Sequence, residues 1–166
     1  MDNLILILYN VVLSLWVGGI AILSFLITPV IFKSFTRIKA GTIVGYIFPR
    51  YFVYNLVLAV LAFFLLMFLY KSSVKFAYYL SVLLAATAVC INVIHLKVIH
   101  PAAKHIKSDI QKLRTPLVCD TLKLKRLTVA FKKIHRTSII LNLVVFTEGV
   151  MLLILYTFIT RSGAGS

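Results

Sequence analysis

Four uninterrupted apolar stretches, at about Leu4–Phe32, Tyr51–Tyr70, Phe76–Val98 and Ser138–Thr160, constrain this chain more than any other feature. Each reaches the roughly 20 residues that cross about 30 Å of hydrocarbon at about 1.5 Å per residue. The runs are continuous and lack the alternation of barrel strands, so helices are the spanning element. Composition points the same way. Of the 166 residues, 61% are hydrophobic and 13% charged, whereas a soluble domain carries about 25% charged residues. The expected fold is therefore all-α: one polytopic domain over residues 1–161, with four transmembrane helices and basic cytoplasmic loops. Ser162–Ser166 reads in part as an added tail and is set aside. The first stretch has no basic leading segment and is followed by Lys33 and Arg37 rather than by a small-residue cleavage site. It is expected to be a span, not a cleaved signal peptide.

Charge orients the spans. The chain has 18 Lys and Arg against four acids, a net charge of +14. All but Lys71, Lys75 and Arg161 fall in the two loops that follow the first and third stretches. The positive-inside rule puts those loops in the cytoplasm and both termini outside, in a multi-pass protein of the cell (inner) membrane. The expected partner of the bases is a lipid bilayer with anionic headgroups. Nucleic acid is not expected, because the basic runs flank apolar spans. A homo-oligomer or a membrane-protein partner is left open. In the second loop Leu124, Leu127, Phe131 and Ile134 recur every three or four residues among bases. This pattern predicts an amphipathic extension of span four lying on the headgroups, with a partner-binding helix as the lesser alternative. Pro29 and Pro101 each sit near the cytoplasmic end of an odd-numbered span, before a basic segment, which hints at a two-plus-two repeat.

Candidate functional residues are the polar groups that hydrocarbon excludes. Glu148 lies ten residues past Ser138, hence about 15 Å deep. A carboxylate there costs at least a few kcal/mol unless it is protonated, paired or wetted. Depth counting on the other spans reaches Gly18-Gly19, Ala62 and Thr87. Two readings compete for Glu148: a proton- or cation-handling carboxyl, and a neutral acid that glues helices together. Asn10 is the other candidate within the membrane.

A second layer lies nearer the cytoplasm: Asn55, Asn92, His95, His135, Ser138 and Asn142. His135, Ser138 and Asn142 share one helical face and are expected to point into the bundle, with Asn92, His95 or Asn55 across from them. Glu148 points about 120° away from the His135 face at about 100° per residue. Imidazoles also ligate metals, so His95 and His135 are the metal or haem candidates, although their spacing matches no ligand motif. Cys90 and Cys119 form no CxxC pair and suggest neither a disulfide framework nor a zinc site. No nucleophile–base pair, phosphate loop or carboxylate pair appears, so enzyme chemistry has little support and no catalytic residue is assigned.

Several segments together resemble a known family. They are Trp16-Val17-Gly18-Gly19 running to Pro29, Ala40-Gly41, Ile47-Phe48-Pro49-Arg50-Tyr51-Phe52, Asn92 with Pro101, and Phe131-x-x-x-His135-x-x-Ser138-x-x-x-Asn142-Leu143. Over nearly the whole chain they look like the domain shared by transmembrane protein 205 of animals and small bacterial membrane proteins of unknown function. The resemblance implies a four-helix membrane domain without an established activity. The family often has a histidine shortly before the tryptophan, where this chain has Asn10. More distantly, Trp-x-Gly-Gly followed by proline is similar to the copper-resistance membrane domain and to the bacterial haem-binding protoporphyrinogen oxidase.

The leading expectation is a non-enzymatic membrane protein of undefined activity, with transport or a membrane-stress role as the open classes and no cofactor. Its rivals are a haem- or copper-binding redox protein using His95 and His135, and an accessory subunit of a larger membrane complex.

Overall fold

The computed structural model describes residues 2–69, 75–113 and 120–161. Cys119 and the tail Ser162–Ser166 lie outside them. Among the described residues the chain is helical apart from short turns at Phe35-Thr36 and Phe68-Leu69 and at Asp120. Helix α1 (Asp2–Ala21) runs through a π-helical segment (Ile22–Ile27) into α2 (Thr28–Ser34). Then come α3 (Arg37–Met67) and α4 (Lys75–Ile94). Helix α4 passes through a second π-helical segment (His95–Ile99) into α5 (His100–Leu113), and α6 (Thr121–Arg161) completes the fold. Four of the resulting helical stretches are long and apolar enough to cross a membrane. This is a multi-pass, all-α membrane fold.

The helices close into a ring in which α1 packs on α3, α3 on α4, α4 on α6, and α6 back on α1. Successive helices run antiparallel, so the two termini share one end of the bundle. The basic turns share the other. The distribution of side chains is that of a bundle solvated by lipid. Large apolar residues such as Leu15, Phe64, Leu83 and Ile154 cover the outside. The interior holds Trp16, Leu13, Ile20, Ala59, Ala62, Ala85, Ala88, Val145 and Leu152 together with Asn55, Ser81, Asn92, His95 and Glu148. A lipid solvent gains nothing from hiding leucine, whereas an amide left facing it loses its hydrogen bonds.

Small residues set the helix spacing. A Cβ on Gly149 would stand 2.8 Å from Val17 Cγ2, and one on Gly19 would stand 2.7 Å from the Tyr54 ring. Tyr54 also donates from its hydroxyl to the Leu15 carbonyl at 2.9 Å.

Both π segments end two residues before a proline, Pro29 or Pro101. Proline has no N–H to donate, and its ring crowds the carbonyl four residues back. Widening the preceding turn relieves that crowding. The backbone N–H groups of Thr28 and His100 accordingly reach five residues back, to the Leu23 and His95 carbonyls. Thr28 Oγ1 donates to the same Leu23 carbonyl at 2.8 Å. The parallel between the two odd-numbered spans is therefore geometric as well as a matter of proline placement.

The basic segments depart from expectation. Helix α6 runs unbroken from Thr121, and α5 packs along its first half. Leu124, Leu127, Phe131 and Ile134 are half-buried in that hairpin. The stripe expected to lie on headgroups is thus covered by protein. Lys107 on α5 ties the hairpin to α3, donating from Nζ to the Gly41 carbonyl at 2.9 Å.

Candidate functional site

The polar side chains inside the bundle form two groups at different depths. The deeper one joins α4 to α6. Glu148 is 8% exposed, and its Oε1 lies 2.7 Å from Thr87 Oγ1. Thr87 Oγ1 is also 3.0 Å from the Leu83 carbonyl and 2.9 Å from that of Leu84. A hydroxyl has one proton and two lone pairs. When Thr87 donates to Glu148 it serves a carboxylate. When it donates to the backbone instead, its lone pair can accept a hydrogen bond from the O–H of a carboxylic acid. One side chain can therefore satisfy either form of Glu148 by rotating a single bond. Glu148 Oε2 is buried without a partner, and so are Trp16 Nε1 and Tyr9 Oη. The contact geometry of Val17 and Gly149 puts Trp16 on α1 level with Glu148 on α6. A donor and an acceptor thus stand unsatisfied at one level of the core.

The other group lies nearer the basic end, and α6 organises it through Ser138 and Asn142, one turn apart. Tyr51 donates from its hydroxyl to Asn142 Oδ1 at 2.7 Å, and Asn142 Nδ2 donates to Ser24 Oγ at 3.1 Å. This chain crosses three helical stretches. His95 Nε2 lies 3.2 Å from both the carbonyl and the hydroxyl of Ser138, and its ring stacks on Phe52 with centroids 4.4 Å apart. The His95 Nδ1 atom is buried without a well-formed hydrogen bond. Ser24 lies in the first π segment and His95 opens the second. The two α6 residues therefore bridge to both irregular turns, a type of element frequent at functional sites. Asn55 and Asn92 are buried in the same region and donate back along their own helices, to the Tyr51 carbonyl at 3.1 Å and the Ala88 carbonyl at 2.9 Å.

Two of the residues expected in these groups stand elsewhere. His135 is exposed and stacks only on Phe131, one turn back on its own helix. It follows Ile134 in the seam against α5, and one residue turns a helix by about 100°, away from that stripe. His95 and His135 consequently do not converge on a common ligand position. Among the described residues no three His, Cys, Asp or Glu side chains cluster to hold a metal. Asn10 is also exposed, because its neighbour Tyr9 occupies the inward face.

Sequence reasoning did not single out Tyr51 or Ser24 as members of the site. Ser24 is four residues beyond the buried Ile20, so the inward stripe Tyr9, Leu13, Trp16, Ile20 would have reached it.

A profile for a domain of unknown function, DUF4149, matches residues 11–112. The chain belongs to this family. The DUF4149 match runs from α1 to α5 and takes in Ser24, Tyr51, Asn55, Thr87, Asn92 and His95. The side chains that Ser24, Tyr51, Thr87 and His95 meet, namely Ser138, Asn142 and Glu148, all lie on α6, beyond the match. No curated protein and no solved structure matches the chain.

Proposed function

We propose that this DUF4149 member is a non-enzymatic membrane protein of the transport class, whose working group is Glu148 acting as an intramembrane site for a proton or small cation. The observation that carries this reading is the pairing of Glu148 with a hydroxyl that can serve either form of the carboxyl, while Oε2 stays unpaired. Purely structural glue has no need of an ionisable group with a free oxygen. A carboxylate at mid-membrane depth requires a counter-charge, either a proton or a metal cation. The unsatisfied Trp16 N–H at the same level supports a position for a water or hydronium beside Oε2. The polar groups around Ser138 and Asn142 lie on the basic side of Glu148, about 9 Å away along α6 for the nearer of the two. They favour exchange from that side.

Infrared titration of the protein in liposomes tests the reading. The expected result is a protonated-carboxyl band that responds to pH or to sodium and is lost in Glu148→Gln. A band in no condition, or one that titrates as a carboxyl does in water, overturns it.

The excess of bases supports a cytoplasmic location for the basic end, with both termini outside. A C-terminal reporter that is active only in the cytoplasm would contradict this orientation. The segment Phe131, His135, Ser138 and Asn142, beyond the DUF4149 match, supports a place beside the transmembrane-protein-205-like proteins.

A further inference from the structure

Independently of Glu148, we propose that the outer face of the α5–α6 hairpin docks an acidic amphipathic helix of a partner protein. Helix α6 turns one apolar stripe towards α5 and leaves a second on the opposite side. Leu122 and Val129, two turns apart on that opposite face, are 60% and 61% exposed. With Lys125, Arg126 and Ala130, all on the same side of α6, they border a shallow, open depression of about 460 Å³. Leucine and valine flanked by bases on one unpartnered helix face suit a second amphipathic helix laid alongside it, with apolar anchors for affinity and charge for selection.

Depth decides against lipid as the occupant. Val129 and Leu122 precede Ser138, where the apolar stretch of α6 begins, by nine and sixteen residues. Along an unbroken helix these are about 14 and 24 Å. The headgroup zone on each side of the hydrocarbon is only about 5–7 Å thick. This face therefore stands beyond the bilayer surface, where exposed leucine and valine meet water.

Charge decides against a second copy of this chain. Between Thr121 and Thr137 the helix carries Lys123, Lys125, Arg126, Lys132, Lys133 and Arg136 and no acid. Apposing two such faces would set like charges against each other. A nucleic acid would match the charge, but the face offers it no aromatic ring for base stacking. An acidic helix with apolar residues on one face satisfies both the charge and the lining.

The test uses the full chain in nanodiscs of zwitterionic lipid. The probe is a fluorescent helical peptide with leucine on one face and glutamate on the others. Controls are the same peptide scrambled and a single-stranded DNA of equal charge. The ordered peptide should bind at least about tenfold more tightly than either control. Lys125→Glu with Arg126→Glu, and separately Leu122→Ser with Val129→Ser, should each remove that preference. These positions are at the surface, so helicity and melting temperature should stay unchanged, which both assays verify. Equal binding of the scrambled peptide or of DNA would overturn the proposal by reducing the face to a charged surface. Unchanged peptide affinity in both variants would overturn it by placing the contact elsewhere. Variants that lose only their attachment to anionic vesicles would make the face a membrane contact instead.

Discussion

Thr87 and Glu148, 61 positions apart in the chain, meet across α4 and α6 with 2.7 Å between Oγ1 and Oε1. The contact gives Glu148, the buried acid among the described residues, its hydrogen-bond partner within the protein. Removing that partner leaves both carboxyl oxygens unsatisfied, which costs about 1–3 kcal/mol for a buried polar group. Thr87→Val, a replacement of nearly equal shape, should lower the unfolding temperature in mild detergent. Thr87→Ser should restore it, because the hydroxyl returns. In Glu148→Gln the amide can still bond Thr87, so stability should stay near wild type, whereas Glu148→Leu should behave like Thr87→Val. A Thr87→Val protein as stable as wild type would show that the contact contributes nothing.

The seam between α1 and α6 supplies a second prediction, because Val17 Cγ2 occupies the space a side chain on Gly149 would need. Valine is stiff about χ1, so it cannot swing aside cheaply. Overpacking of this kind costs about 1–3 kcal/mol. Gly149→Ala should therefore destabilise the bundle, and Val17→Ala in the same chain should recover most of the loss. The neighbouring Gly18 is the control. A Cβ there would meet nothing within 4 Å, so Gly18→Ala should change little. Thermal unfolding of wild type, Gly149→Ala, Val17→Ala and the double variant gives the coupling between positions 17 and 149 directly. Additive effects would mean that the two helices adjust independently.

Relative level along the bundle is legible in this sequence and direction is not. Counting at constant rise puts Thr87 level with Glu148, and the two are bonded. The apolar spans likewise fall on the four long helices, although the second, expected to run to Tyr70, leaves α3 at Met67. Facing is harder, because in a lipid-solvated helix apolar residues lie on every side and the hydrophobic pattern no longer marks the interior. Asn10 is polar and exposed, while its neighbour Tyr9 is buried. The π segments defeat counting for another reason: a wider turn shifts the register of every later residue on that helix. Covering the apolar stripe of Leu124, Leu127, Phe131 and Ile134 with α5 is a tertiary event that periodicity alone cannot distinguish from covering it with headgroups.

The two histidines once paired by residue type should respond differently to alanine. His95 is buried against Phe52 and reaches Ser138, so its removal opens a cavity and strands Ser138. Hydrogen bonds between helices in a membrane average about 0.6 kcal/mol, and loss of the stacked ring adds a packing term of about 1 kcal/mol or more. His95→Ala should thus lower the unfolding temperature clearly. His135 is exposed and stacks on Phe131 of its own helix, where a paired side chain contributes about 0.2–0.5 kcal/mol. His135→Ala should leave the melting curve nearly unmoved. Tyr51→Phe should fall between them: it deletes one hydroxyl from the Tyr51–Asn142–Ser24 chain but leaves its ring in place. An unfolding series in one detergent ranks the three. If His135→Ala proved as damaging as His95→Ala, the outward placement of His135 would be wrong, and convergence of the two imidazoles would have to be reconsidered.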